Sequence, residues 1–295
     1  MTRCDLSLGF VGLGALGLPM AINLHRAGFR LRVHTRSRTA ETSPELGEAH
    51  RCSNPADTSV GVDVLLVCVS DDAAVEEVLF GTDGAASQLT AGSVVLDCST
   101  IAPATAQSCA QRLARQKVHY LDAPVTGGTE GARRGSLTVL VGGATEPLQR
   151  VRPILEVIGS AIHHFGPVGR GQQVKAVNQV LVAGSYAAVA EAVALGQRLD
   201  LPMPSVIQAL QNGAAGSWAL EHRSNAMLEG AYPLGFRLSL HRKDLGIALD
   251  AARAVNLDLP VTTLVERLES ELISNGHGDE DVSALHRWNT PMDEV

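Results

Sequence analysis

The chain has 295 residues, of which 45% are hydrophobic, 19% charged and 3% aromatic, with a formal net charge of -7 at pH 7. That length suits two compact cores better than one, and the balance of apolar and charged residues is that of an ordered globular protein rather than a disordered tail. No run of Lys and Arg interleaves with aromatics, so a nucleic-acid groove is excluded.

Met1-Thr2-Arg3 ahead of an apolar stretch superficially imitates an export signal. That stretch carries four glycines and lacks a small-residue cleavage site, so no export is expected. Short strand-like runs follow at 6–11, 31–34, 62–69, 93–98, 119–121 and 137–142, separated by helix-like segments and punctuated by Gly, Pro, Ser or Asp. Strands alternating with crossovers of helical length imply a parallel sheet wound on both faces. At the first strand end stands Gly12-Leu13-Gly14-Ala15-Leu16-Gly17, followed by Leu18-Pro19-Met20. Gly12 suits a sharp turn, Gly14 a close approach of backbone to pyrophosphate, and Gly17 the packing of helix on strand. With Pro19 in the first turn of the next helix, this reads as a dinucleotide site in an α/β Rossmann domain.

After the second strand the chain reads His34-Thr35-Arg36-Ser37-Arg38, with no carboxylate before Glu41. A dinucleotide site for NAD usually has Asp or Glu there for the ribose 2'-hydroxyl, whereas Arg36 and Arg38 suit a 2'-phosphate. NADP(H) is therefore favoured, with NAD(H) the alternative, and two solvated arginines fit the same residues.

Residues 121–132, including Thr126, Gly127 and Gly128, are too rich in glycine for a strand interior and read as a loop leaving a strand end. Consecutive amides at Gly127 and Gly128 beside the Thr126 hydroxyl can cup a carboxylate, though an ordinary structural loop fits the spacing too. Beyond 168 strand signals stop. The stretch 174–199 is one long apolar helix, and further helical runs follow at 204–211, 217–227, 243–254 and 262–274. The organisation expected is a doubly wound parallel sheet at 1–167 and an all-α domain at 168–295, joined by the long helix. The apolar core of that helix at 180–190 is too short to cross a bilayer, so no membrane partner is expected. A helix apolar on nearly all sides is usually buried between layers or subunits, which points to a homodimer or homotetramer.

Lys175 and Asn178 lie three residues apart at the start of the long helix and share a face otherwise lined by Val and Ala. Burial there would disfavour the ammonium form, which suits proton exchange with an alcohol or carbonyl. A lysine snorkelling from a helix start fits nearly as well. Cys4, Cys52, Cys68, Cys98 and Cys109 are odd in number and form no C-x-x-C pair, as expected of reduced thiols in a cytoplasmic protein. The histidines, among them His163-His164, His222, His241, His277 and His286, form no metal-ligand spacing, and no metal mechanism is expected.

Together these motifs resemble the beta-hydroxyacid dehydrogenase family, the group of 3-hydroxyisobutyrate dehydrogenase, tartronate semialdehyde reductase and the glyoxylate/succinic semialdehyde reductases. The resemblance spans nearly the whole chain. Its carriers are the Gly12–Gly17 turn with Pro19-Met20 and Asn23, then Asp97-Cys98-Ser99-Thr100, then the segment from Asp122 to Gly128, Lys175-x-x-Asn178-Gln179, and Phe236 with Lys243-Asp244-Leu245. The resemblance implies Lys175 as catalytic acid/base and Thr126, Gly127, Gly128, Asn178 and Lys243 as substrate holders. Trp218 either closes the pocket or packs. It further implies that Thr35, Arg36, Ser37, Val69, Ser70, Thr100, Phe236 and Lys243 approach the cofactor along with the glycine turn. Asp97 and Asp244 read as structural. The implied reaction is hydride transfer between NADP(H) or NAD(H) and a short 3- or 4-hydroxy acid or its semialdehyde, a small-molecule partner.

Thr126 stands where the family usually has serine, and Gln179 where many 3-hydroxyisobutyrate dehydrogenases have asparagine. The 6-phosphogluconate dehydrogenase type resembles Lys-x-x-His-Asn, and Asn178 occupies the position of that histidine. Imine reductases of the same architecture typically lack the lysine, so Lys175 argues against them, as it does against a non-catalytic NADP-binding module.

Overall fold

The computed structural model describes residues 6–37 and 43–289. Cys4, Arg38, Glu41 and the Met1-Thr2-Arg3 segment lie outside the described residues. Contacts divide the chain into two compact units, Met1–Lys175 and Ala176–Val295.

In the first unit, β1 (Ser7–Val11), β2 (Arg30–His34), β3 (His50–Arg51), β4 (Val64–Val67), β5 (Val94–Asp97) and β6 (His119–Asp122) form one parallel sheet in the order β3-β2-β1-β4-β5-β6. The connecting helices are α1 (Gly17–Arg26), α2 (Pro55–Thr58), α3 (Asp72–Phe80), α4 (Pro103–Ala114), α5 (Gly128–Arg134) and α6 (Thr145–Ile158). Side chains alternate across the sheet. Leu8, Phe10, Val33, Leu66 and Leu96 join one buried cluster with Met20 and Leu24 of α1 and Val151 and Ile154 of α6. Val11, Leu65, Val67 and Val95 join another with Val75 and Leu79 of α3 and Cys109 and Leu113 of α4. Burial on both faces explains why these strands read as continuous apolar runs rather than alternating ones. This is the doubly wound arrangement expected.

A second, three-stranded sheet was not expected. It consists of β7 (Val125–Thr126), β8 (Leu137–Val141) and β9 (Gly159–His164), with β7 antiparallel and β9 parallel to β8. The segment read as a glycine loop is therefore a two-residue strand running into α5. Its carbonyls still serve a ladder, since the Leu140 amide donates to the Pro124 carbonyl at 2.9 Å.

The second unit is helical. The long helix α7 (Arg170–Arg198) crosses the boundary and is followed by α8 (Met203–Leu210), α9 (Trp218–Leu228), α10 (Leu238–Ala254) and α11 (Pro260–Leu272). Within this unit α7 buries Gln179, Ala183, Tyr186, Ala190 and Val193, spaced three and four apart. Its opposite side exposes Val177, Leu181 and Leu195 by 63%, 69% and 61%. By length and composition alone α7 is apolar enough to cross a bilayer, because it runs well beyond the stretch 180–190. Yet 44% of its apolar window is buried inside the protein, and the stripe from Ala183 to Val193 belongs to the helical core.

Candidate active site

The glycine turn follows directly from β1. Gly12 has φ +100, and a Cβ there would stand 2.1 Å from the Cys68 carbonyl oxygen; at Gly17 it would stand 1.9 Å from the Gly12 carbonyl oxygen. At Gly14 a Cβ would meet nothing within 4 Å. Two glycines thus serve the fold, while the third leaves open space in front of the backbone. No side chain caps α1; the Leu18 amide turns back to the Gly14 carbonyl at 3.0 Å and Pro19 has no N–H, so what α1 offers that space is chiefly the positive end of its dipole. The Gly12 amide donates to the His34 carbonyl and the Cys68 amide to the Val11 carbonyl, both at 2.9 Å, bracing the turn between the ends of β2 and β4. The sheet order reverses between β1 and β4, the crevice in which doubly wound sheets bind ligands. An open Gly14, an uncapped helix and this crevice together fit a dinucleotide pyrophosphate.

The other cofactor residues expected in the first unit stand along the same carboxyl edge. Cα pairings align Val11 with His34 and Val67, Val67 with Asp97, and Asp97 with Asp122. Beyond β2, Thr35 is buried while Arg36 and Ser37 are exposed. Beyond β4, the Val69 amide donates to Ser99 Oγ at 3.0 Å and Ser70 Oγ to Asp71 at 2.8 Å. Asp71 in turn caps α3 by accepting the Ala74 amide. Beneath Thr100, the fully buried Asp97 accepts from Tyr120 Oη at 2.7 Å and from the Ser99 amide at 2.9 Å. Burial pushes its carboxyl up to about 6, against the pull of those two hydrogen bonds.

Lys175 is 7% exposed and its helix is fixed by two residues that sequence reasoning missed. Asp122, at the end of β6, accepts the Gly169 amide at 2.8 Å and the Gln172 amide at 2.9 Å. It thereby satisfies the orphan donors at the start of α7. Burial raises the Asp122 carboxyl while these backbone amides lower it. Gln172, 1% exposed, donates through Nε2 to the Ser99 carbonyl at 2.8 Å and accepts the Ile101 amide at 3.2 Å. Those two bonds bracket Thr100. The available signal for Asp122 was a lone carboxylate closing an apolar strand; a glutamine near a helix start carries none.

Gly127 (φ +127) and Gly128 (φ +63) turn the chain from β7 into α5, whose N-terminus has no side-chain cap. Thr126 is half-buried beside them. In the second unit, Asn178, Gln179, Lys243 and Asp244 form a connected polar chain. Asn178 Nδ2 donates to Gln179 Oε1 at 2.8 Å, Gln179 Nε2 donates to Asp244 Oδ2 at 2.6 Å, and Lys243 Nζ lies 2.9 Å from Asp244 Oδ1. Asp244, read as structural, thus holds a residue expected to contact substrate. Phe236 donates its amide to Asp281 at 2.8 Å and sets its ring edge-on to His241 at 5.3 Å. Trp218 is 43% exposed, stacked on His222 at 4.6 Å with the Arg223 guanidinium over its ring.

Burial pushes the thiols of Cys68 and Cys109 up to about 12 and raises those of Cys52 and Cys98. None is primed as a thiolate nucleophile. Ligand atoms of His50, Cys52 and Asp57 lie within 4.8 Å of one another. Asp57 is already paired with Arg32 at 2.7 Å and accepts the Ser53 amide, so the group reads as a structural junction.

Two family models span the chain. The NAD binding domain of 6-phosphogluconate dehydrogenase matches residues 7–166, and the NAD-binding domain of NADP-dependent 3-hydroxyisobutyrate dehydrogenase matches residues 169–289. The chain is 38% identical to 2-hydroxy-3-oxopropionate reductase of Escherichia coli over 95% of its own length and 96% of that protein's. It is 35% identical to the NAD-dependent L-serine dehydrogenase of Pseudomonas aeruginosa, over 96% and 98%. Its structure matches that of 3-hydroxyisobutyrate dehydrogenase from Salmonella typhimurium with a TM-score of 0.88 and 31% identity, covering 96% of this chain and all of that one. Sheet, glycine turn and relatives together define an NAD(P)-dependent oxidoreductase. Within that class the chain belongs to the beta-hydroxyacid dehydrogenase family, whose chemistry is the oxidoreduction of small hydroxy acids.

Proposed function

We propose that the protein interconverts a short 3- or 4-hydroxy acid and its semialdehyde with NADP(H), Lys175 moving the proton. The observation that carries this reading is a buried lysine five residues beyond the start of a helix pinned by Asp122 and Gln172. The nicotinamide cofactor supplies the hydride acceptor or donor. In oxidation, neutral Lys175 Nζ takes the hydroxyl proton as the carbinol C–H bond gives up its hydride; in reduction the ammonium returns that proton to the alkoxide oxygen. The amides of Gly127 and Gly128, the Thr126 hydroxyl, Asn178 and Lys243 hold the substrate and its carboxylate, and Trp218 borders the pocket. Lys175→Ala should lower kcat by about a thousandfold with cofactor binding intact, within the range of about 100- to 10,000-fold that general acid–base catalysis commonly contributes. Near-normal turnover would refute the assignment. The same comparison tests the imine reductase-like and non-catalytic alternatives, since neither requires the lysine.

The candidate substrates are 3-hydroxyisobutyrate, succinic semialdehyde, glyoxylate and tartronate semialdehyde, to be separated by an activity panel with both cofactors. Arg36, exposed at the end of β2, supports NADP(H), because a guanidinium pairs bidentately with a 2'-phosphate. A lower KM for NADH than for NADPH would overturn that preference. Phe236 and Lys243 we assign as cofactor-binding residues. The free thiols of Cys52, Cys68, Cys98 and Cys109 support a cytoplasmic location, and the exposed stripe of α7 supports a homodimer or homotetramer.

A further inference from the structure

We propose that Gln179 is a positioning residue that sets the orientation and spacing of Asn178 and Lys243 toward the substrate carboxylate, an inference that rests on the function proposed above. Gln179 is 1% exposed and Asp244 3%, so both are shielded from water that would otherwise substitute for their partners. A carboxylate only accepts hydrogen bonds. The nitrogen of the Gln179 amide must therefore face Asp244, at 2.6 Å, and its oxygen must face the other way. That oxygen accepts from Asn178 Nδ2 at 2.8 Å, which in turn dictates how the Asn178 amide is turned: one N–H goes to Gln179, while the second N–H and the carbonyl oxygen remain for other partners. At the opposite end Lys243 Nζ lies 2.9 Å from the second oxygen of Asp244 as an ion pair without hydrogen-bond geometry.

The single charge on Asp244 thus propagates through one amide to the next, and each link has only one workable polarity. A neutral donor on α7 and an ammonium on α10 stand at the two ends of this relay. Both are donors that suit a carboxylate, and two anchors tied to one buried carboxylate, one by hydrogen bonds and one by an ion pair, favour one chain length of hydroxy acid over others. An asparagine at 179 would be one methylene too short to span Asn178 and Asp244. A glutamate would set two acceptors against each other.

The test is steady-state kinetics of the full-length enzyme, with the best hydroxy acid from the panel, for Gln179→Met and Gln179→Glu. Gln179→Met keeps the length of the side chain without its polarity. It should raise KM for the hydroxy acid at least tenfold while kcat changes less than threefold and KM for the cofactor less than twofold. Gln179→Glu should be worse. The double variant Gln179→Glu with Asp244→Asn restores a donor opposite an acceptor and should recover hydroxy acid KM relative to Gln179→Glu alone. An unshifted hydroxy acid KM in Gln179→Met, or a double variant no better than Gln179→Glu, overturns the proposal while leaving the function standing. Failure of the wild-type enzyme to turn over any hydroxy acid or semialdehyde overturns the function and this proposal together.

Discussion

At the scale of single residues the glycine turn separates two demands that a motif cannot distinguish. Gly12 answers to the fold, since its φ of +100 and the nearby Cys68 carbonyl leave no room for a side chain. Gly12→Ala should destabilise by about 3 kcal/mol or more, the sum of a strained backbone and a displaced neighbour. Gly14 meets no such constraint, since a Cβ there would touch nothing within 4 Å. Gly14→Ala should leave the denaturation midpoint nearly unchanged while weakening cofactor binding at least tenfold, read by chemical unfolding and cofactor titration of each variant. Equal loss of stability in both would show that Gly14 serves the fold too. Asp97 carries a pH signature of its own. Its folded value of about 6 lies above the ordinary 3.8, so the folded state binds the proton more tightly, and the carboxyl's contribution to stability falls as pH rises from about 4 to about 6. Asp97→Asn removes that titration, and its unfolding free energy should improve relative to wild type by about 2 kcal/mol between pH 4 and pH 7. A difference between the two proteins that stays constant across this range would mean the carboxyl is not raised.

At the scale of elements, the entry to α7 decides how rigidly Lys175 is held. Gln172→Ala would strand the Ser99 carbonyl and the Ile101 amide, both otherwise satisfied by the glutamine. An unsatisfied buried polar group costs about 1–3 kcal/mol, so a loss of about 2–6 kcal/mol in chemical unfolding, together with reduced kcat, is expected. A variant as stable as wild type would show that water replaces the side chain. This clamp was invisible in the sequence because its partners lie 71 and 73 residues away. The strands β1, β4 and β5 were legible because burial on both faces makes them continuous apolar runs. β9 was not, since Gly159–His164 is a half-exposed, largely polar segment, and β3 and β7 have two residues each. The long helix was legible from its unbroken Ala, Val and Leu content, but its first turn was not, because Arg170 to Gln173 offers no apolar periodicity. Likewise Asn178 and Lys243 were legible one by one, whereas the relay through Gln179 and Asp244 exists only once α7 and α10 are packed.

At the scale of the molecule, the exposed stripe of α7 is the feature a lone chain does not explain. Val177, Leu181 and Leu195 on α7 and Leu199 just past its end are 59–69% exposed, and the other side of the helix already fills the helical core. Burying what remains of four such side chains from each of two copies gains about 8–16 kcal/mol at roughly 1–2 kcal/mol each. Association itself costs about 4–15 kcal/mol, so the stripe is of the size that a stable pairing needs, with little to spare. Two charges placed in it should therefore be enough to break the pairing. The wild-type protein at micromolar concentration should show the mass of a dimer or tetramer by light scattering. Leu181→Glu with Leu195→Glu should show the mass of a monomer, with its helical circular dichroism retained because both positions face away from the core. A wild-type monomer, or a doubly charged variant that still associates, would assign this stripe some other role.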